Sequence, residues 1–365
     1  MRLIDEFRHP EIVRKLAEEI HRLEAPPMTL MEVCGTHTMS IARFGIRQML
    51  PPQIRLISGP GCPVCVTPQG EIDAFLSLAG KPGVILSTFG DMLRVPGSHS
   101  SLEVERARGA EIRIVYSPLN AVETAKENPD KQVVFFGVGF ETTSPTVAVA
   151  LKVAREERIA NFSVFSTHKL IPPALQALLA FPKCSIDGLI CPGHVSTIIG
   201  ASAYRTVAED FGTPCVIAGF EPTDVLQTVL MLARQKVEGR SEVEIQYSRA
   251  VTWAGNAAAR ELVSSMFEPR DSDWRGLGTI PQSGLALRRE MSEFDATRRF
   301  SELRDIPSIP EPAGCRCGEI LQGIKEPSEC PLFGRKCTPA SPVGPCMVSS
   351  EGACAAAIKY GESID

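Results

Sequence analysis

Between about residues 28 and 235 the chain repeats one phrase: a short apolar run, a loop rich in glycine, proline and threonine, then a stretch of helical periodicity. The apolar runs are TLMEVC, IRLIS, GVILST, IRIVYS, QVVFFGV, FSVFST, GLIC and CVIAG. Each is short, bounded by turn residues and mostly rich in Val and Ile, the pattern of strands covered on both faces. Segments between them, such as SPTVAVALKVAREE and PTDVLQTVLMLARQ, carry helical spacing. Ser117–Pro118 and Thr67–Pro68 each read as an N-cap followed by proline at the first helical position. Strand alternating with helix predicts an α/β fold with parallel sheets. Eight such units can close into one barrel or split into two open sheets, and periodicity does not decide between them. One internal echo, GFETT at 139–143 against GFEPT at 219–223, is compatible with duplication but too short to establish it.

After residue 240 the character changes. EVEIQYSRAVTWAG reads as extended structure, GLGTIPQSGLALRREMSEFDA as loop with a short helix at best, and RDIPSIPEPAG as a proline-rich link to a separate segment from about 313. The amino terminus, MRLIDEFRHPEIVRKLAEEIHRLE, reads as an amphipathic helix rather than a signal peptide, and no run of about eighteen apolar residues occurs. A cytoplasmic protein is expected, with no membrane. A net charge of −5 without a Lys/Arg run gives no footprint for nucleic acid.

Twelve cysteines are many for a chain read as cytoplasmic, where a disulfide framework is disfavoured and metal or redox chemistry becomes the leading explanation. Six of them, Cys315, Cys317, Cys330, Cys337, Cys346 and Cys354, fall in a glycine- and proline-punctuated tail. Such a tail suits one compact iron–sulfur cluster, which takes four thiolates, with two thiols to spare. Six cysteines without a histidine cannot fill two separate four-ligand zinc sites. Cys184 and Cys215 read as buried core thiols.

The remaining unusual polar residues sit at the carboxyl ends of the expected strands, where open parallel sheets bind ligands. They are Cys34 and His37 in CGTHT, Cys62 and Cys65 in GPGCPVCVTP, then Asp91, Glu141, His168, Cys191 with His194, and Glu221. A single strand-end histidine is ordinarily a cap or core residue; several on one edge point to a shared site. Cys62-x-x-Cys65 permits either a small disulfide ring or two ligands to one metal, and the helix expected after it favours thiolate. Zinc held with Cys34 and His37 is the competing reading, though it leaves the nearby Glu, Asp and Thr without a purpose.

At these residues the sequence resembles the HypD family of nickel–iron hydrogenase maturation proteins. The likeness runs from MEVCGTHTMSIARFGIRQMLP through LISGPGCPVCVTP, GFETT and CPGHVSTIIG to CPLFGRKCTP and CMVSSEGACAA. It implies two similar open parallel-sheet α/β domains, placed at 1–118 and 119–240, and a C-terminal region, 241–365, carrying a [4Fe-4S] cluster. It also implies a scaffold that works with the small chaperone HypC. On it iron acquires two cyanides, delivered by HypE, and one carbon monoxide, before passing to the hydrogenase large-subunit precursor.

Carried onto this chain, the resemblance makes Cys34 the thiolate that binds iron, with His37 positioning ligands or handling protons. Cys62 and Cys65 become a redox pair, and Glu141 and His194 cleft residues that orient the site. Cys315, Cys330, Cys337 and Cys354 become the preferred cluster ligands, with Cys317 and Cys346 spare. Exchange of Cys315 for Cys317, or of Cys346 for Cys354, stays open on spacing alone. A cluster-bearing thiol–disulfide oxidoreductase without bound iron, and a zinc-stabilised scaffold, are the alternatives.

Overall fold

The computed structural model describes residues 6–181 and 185–361; Cys184 and the first five residues of the expected N-terminal helix lie outside them. Eleven strands are assigned among the described residues: β1 (Met28–Glu32), β2 (Ile54–Ser58), β3 (Val84–Thr88), β4 (Ile112–Ile114), β5 (Gln132–Gly137), β6 (Phe162–Ser166), β7 (Gly188–Pro192), β8 (Cys215–Ala218), β9 (Val243–Ile245), β10 (Phe267–Trp274) and β11 (Gly278–Leu287). They form two open parallel sheets, ordered β2-β1-β7-β8-β9 and β4-β3-β5-β6, and one antiparallel hairpin, β10-β11. The fold is therefore α/β with two open sheets, not a barrel.

The sheets share one winding plan. In each, the founding strand has its successor on one side and all later strands on the other. The chain lays down β1 and β2, leaves to build the whole second sheet, then returns with β7 beside β1. The sheets accordingly do not divide the chain at residue 118: β3 and β4 belong with β5 and β6, and β9 lies beyond residue 240 yet completes the first sheet. The GFETT and GFEPT strings follow β5 and β8, the third and fourth strands of their respective units, so the echo does not mark equivalent positions.

Alternation along the strands sorts the core. Val133 and Phe135 of β5 pack on an outer layer with the helices Pro118–Glu127 and Ser144–Glu156, while Val134 and Phe136 face a core shared with Met31, Ile57 and Ile217 of the first sheet. On its far side, Leu30, Ile190 and Val216 pack with the helices Pro10–Arg22 and Pro222–Glu238. The shared layer holds the sheets together, because alternate residues of each strand must be buried somewhere.

Ser117 caps its helix as expected, its hydroxyl accepting from the Leu119 N–H. Thr67 does not cap: its hydroxyl donates to the Pro63 carbonyl at 2.8 Å, and the following helix, Gln69–Leu76, begins after Pro68. The region read as loop after 275 instead contains the ten-residue β11, whose Pro281 and Gly284 disguise it in the sequence. The segment read as extended contributes only β9, and the helix Ala257–Met266 follows it. Among the described residues no helix is long and apolar enough to cross a membrane.

Candidate functional site

The winding plan places two reversal points, between β1 and β7 in the first sheet and between β3 and β5 in the second, where loops diverge and leave a crevice. Cys34 follows β1 and begins the helix Gly35–Arg43, with His37 in its first turn. His194 follows β7, Asp91 follows β3 and Glu141 follows β5. The C-terminal segment joins the two crevices: the Thr36 hydroxyl donates to Glu351 at 2.8 Å, and the Ser349 hydroxyl to Asp91 at 3.4 Å.

Cys34 is nearly enclosed, at 9% exposure. Burial, and secondarily the charge of Glu351, push its thiol up to about 12; the backbone N–H groups of His37 and Thr36 pull the other way. Behind it lies Glu32, a carboxyl with no exposed surface at the end of an apolar strand. It accepts from the Cys34 N–H at 3.1 Å and the Thr38 hydroxyl at 2.5 Å, and burial raises it to about 7.

His37 is fully buried, which lowers its pKa to about 4 and keeps it neutral. Its Nε2 lies 2.9 Å from the Gly219 carbonyl. A carbonyl only accepts, so Nε2 carries the proton and the unpartnered Nδ1 carries a free lone pair. The Phe220 ring stacks on His37 at 4.9 Å and on His194 at 4.0 Å between centroids, so one aromatic ring contacts both imidazoles. His194 is exposed, and partial burial lowers its pKa.

Cys62 and Cys65 form a disulfide across the turn Pro63–Val66. In this state neither offers a thiolate to zinc. Their loop lies against the Cys34 loop: the Gly35 N–H donates to the Gly61 carbonyl at 2.9 Å. A Cβ at Gly61 would sit 2.1 Å from the Cys34 nitrogen, so only glycine permits this approach.

Glu141 stands apart. Its Oε1 accepts from the Ile171 N–H at 2.9 Å, at the start of the helix Ile171–Leu179, and its buried Oε2 has no partner. No hydrogen bond among the described residues joins it to Cys34, His37 or His194. His168 is held by Ser166 and the edge of Phe267, and Glu221 caps the helix Pro222–Glu238. Both have local structural work.

All six C-terminal cysteines line one small cavity with Leu332, Phe333 and Met347. Cys317 and Cys346 are joined in a disulfide, while Cys315, Cys330, Cys337 and Cys354 are free thiols. Burial disfavours the thiolate at two of them: Cys315 is raised to about 11 by enclosure, with the charges of Glu311, Cys330 and Cys337 adding to it, and Cys354 is raised by enclosure and by its neighbouring thiols Cys337, Cys330 and Cys315. Four free thiols around one apolar space fit the four-thiolate requirement of an iron–sulfur cluster. Among the described residues no three His, Cys, Asp or Glu are grouped closely enough for a single metal ion.

Glu32, Phe220 and Glu351 were not singled out from sequence. A carboxylate inside the apolar string TLMEVC was the available signal for Glu32. Glu351 reaches Thr36 across 315 residues, and nothing local announces it.

Residues 11–361 match the family model described as HypD, hydrogenase formation hypA family. A hydrogenase maturation factor HypD of Azotobacter vinelandii is 51% identical over 371 residues, covering 99% of this chain and 97% of that protein. The hydrogenase maturation factor HypD of Escherichia coli (strain K12) is 47% identical over 369 residues, covering 99% and 98%. The hydrogenase maturation factor HypD2 of Bradyrhizobium diazoefficiens is 51% identical over 375 residues, covering 100% and 98%.

Proposed function

The chain belongs to the HypD family of hydrogenase maturation factors, and from that membership we propose that it is the scaffold on which iron receives two cyanides and one carbon monoxide. The observation that carries this reading is the pairing of an enclosed thiol, Cys34, with a neutral histidine, His37, whose free Nδ1 lies in the same helical turn. A thiol pushed up to about 12 is not a thiolate at neutral pH. Iron must displace its proton, and His37, kept neutral by burial in the same turn, would position the incoming ligands through its free Nδ1. Soft thiolate then suits an iron bearing cyanide and carbon monoxide. A HypC-type chaperone would sit over the crevice and a HypE-type donor would deliver the two cyanides, with the large-subunit precursor as recipient.

Cyanide released from a thiocyanate group needs two electrons. The Cys62/Cys65 dithiol balances that step: RSCN plus the dithiol gives RSH, HCN and the Cys62–Cys65 disulfide. The disulfide lies backbone-to-backbone with the iron-binding loop, where such a step is required. Cys315, Cys330, Cys337 and Cys354 would hold a [4Fe-4S] cluster, which supplies single electrons when bound. The chain's own part is to keep those four thiols free and to wall them from water with Leu332, Phe333 and Met347.

Anaerobic infrared spectroscopy of the chain co-purified with a HypC-type partner tests the reading. Cyanide and carbon monoxide bands are expected, and their loss in Cys34→Ala. Bands that persist unchanged in that variant remove Cys34 as the ligand. The presence of two disulfides on adjoining elements favours one second reading, a thiol–disulfide oxidoreductase without bound iron, which shows no such bands.

A further inference from the structure

Arg275 occupies the turn between β10 and β11 and is only 4% exposed. Among the described residues no carboxylate lies within ion-pairing distance of it. Its Nε and Nη2 both donate to the Thr67 carbonyl, at 3.1 and 2.9 Å, and its backbone N–H donates to the Val66 carbonyl at 2.8 Å. Those two carbonyls end the turn that carries Cys65. On its other side the hairpin presses on the cysteine-rich tail: a Cβ at Gly276 would sit 2.5 Å from the Gly318 Cα, and Gln322 donates to the Gly276 carbonyl. The Gly318 N–H goes to Glu311 at 3.1 Å, and both Glu311 and Cys315 act on Arg275 through their charge. The turns bearing Cys317 and Cys346 pack on the Pro63–Val66 turn.

A permanent cation is a costly way to satisfy one carbonyl, that of Thr67, since burial penalises its charge and pushes its pKa down. A neutral amide would satisfy it as well. The charge therefore needs a purpose, and the two groups it adjoins are a disulfide and a loop presenting thiols. We propose that Arg275 is a positioning residue whose fixed charge biases both thiol systems toward their electron-rich states. Reduction of a four-thiolate cluster adds one electron and no proton. Opening the Cys62–Cys65 disulfide takes two electrons and, at alkaline pH, leaves thiolates. In each case negative charge arrives beside a guanidinium, which stabilises it. Glu311, whose charge acts on both Arg275 and Cys315, opposes the effect.

The proposal rests on the redox reading above, and the test separates the two. Arg275→Met, Arg275→Lys and Glu311→Gln are made in the full chain. In cluster-free protein at about pH 9, the Cys62–Cys65 pair is equilibrated with dithiothreitol and read by alkylation and mass spectrometry. In cluster-loaded protein, a dithionite titration is read by electron paramagnetic resonance. Arg275→Met is expected to lower the reduced-to-oxidised ratio of the cluster about tenfold at fixed potential, 59 mV for one electron, and that of the pair in the same direction. Arg275→Lys stays within about twofold, and Glu311→Gln moves both ratios upward. Equal shifts in the Met and Lys variants, or none in Met, overturn the proposal. Should Arg275→Met not fold, the sign of Glu311→Gln decides, because that variant leaves the Thr67 contacts intact. A chain that never takes up a cluster undermines the proposed function, while the dithiothreitol arm still decides the role of Arg275.

Discussion

The carboxyl of Glu32 accepts the backbone N–H of Cys34, two residues further along the chain, and fixes the direction in which the thiol leaves the first sheet. It also takes the Thr38 hydroxyl from one turn into the helix. Glu32→Ala leaves these buried donors unanswered and is expected to cost about 3 kcal/mol in chemical denaturation, whereas Glu32→Gln, which keeps an acceptor oxygen, costs about 1 kcal/mol or less. Equal losses in the two variants remove the hydrogen-bonding explanation.

Glu141 predicts a pH dependence. Burial raises its folded pKa to about 7, above its ordinary value of 4.5, so the folded state holds this proton more tightly. The resulting contribution to stability is complete below the ordinary carboxyl range and is lost as pH rises through about 7. Glu141→Gln should therefore match the parent near pH 4.5 and exceed it by up to about 3 kcal/mol above pH 7. Urea midpoints measured across that interval check it; a difference constant with pH counts against it.

Alkylation of Cys34 should be slow at neutral pH in the free chain and climb toward about 12. Glu351→Gln removes an opposing charge and is expected to speed it by about three- to tenfold. Peptide-resolved mass spectrometry after iodoacetamide treatment follows this one cysteine among the rest.

The four free thiols of the tail and the two joined ones should behave differently. Serine at Cys315, Cys330, Cys337 or Cys354 is expected to abolish the brown absorbance and bound sulfide of an anaerobic preparation. Serine at Cys317 or Cys346 should leave both in place. Loss of colour from either of the last two places them among the ligands instead.

The strand–helix alternation was legible because buried parallel strands must be continuously apolar and must end in turn residues; all eight runs named at the outset contain a strand. Cys34, His37 and His194 could be placed at one edge for the same reason, since strand order does not alter which end of a strand a residue occupies. What escaped was long-range. No local pattern tells that β7 rather than β3 lies beside β1, so a division at 118 looks natural until the pairing is seen. Strand β11 escaped through its own composition: a two-stranded hairpin wet on one side does not require a continuous apolar run. Glu141 looked like a partner of the cleft because its motif sits at a strand end, but one of its oxygens is committed to the Ile171 amide.

Because β7 completes the first sheet only after the second has been laid down, the amino-terminal strands wait through synthesis without their neighbour. The intervening unit, from β3 to β6, is contiguous and can fold as soon as it emerges. The crevice beside Cys34 closes only when residues near His194 arrive, and Glu351 joins it later still. A nascent chain thus presents an open thiol but no assembled pocket, and the enclosure of Cys34 is complete only once the segment bearing Glu351 has been made.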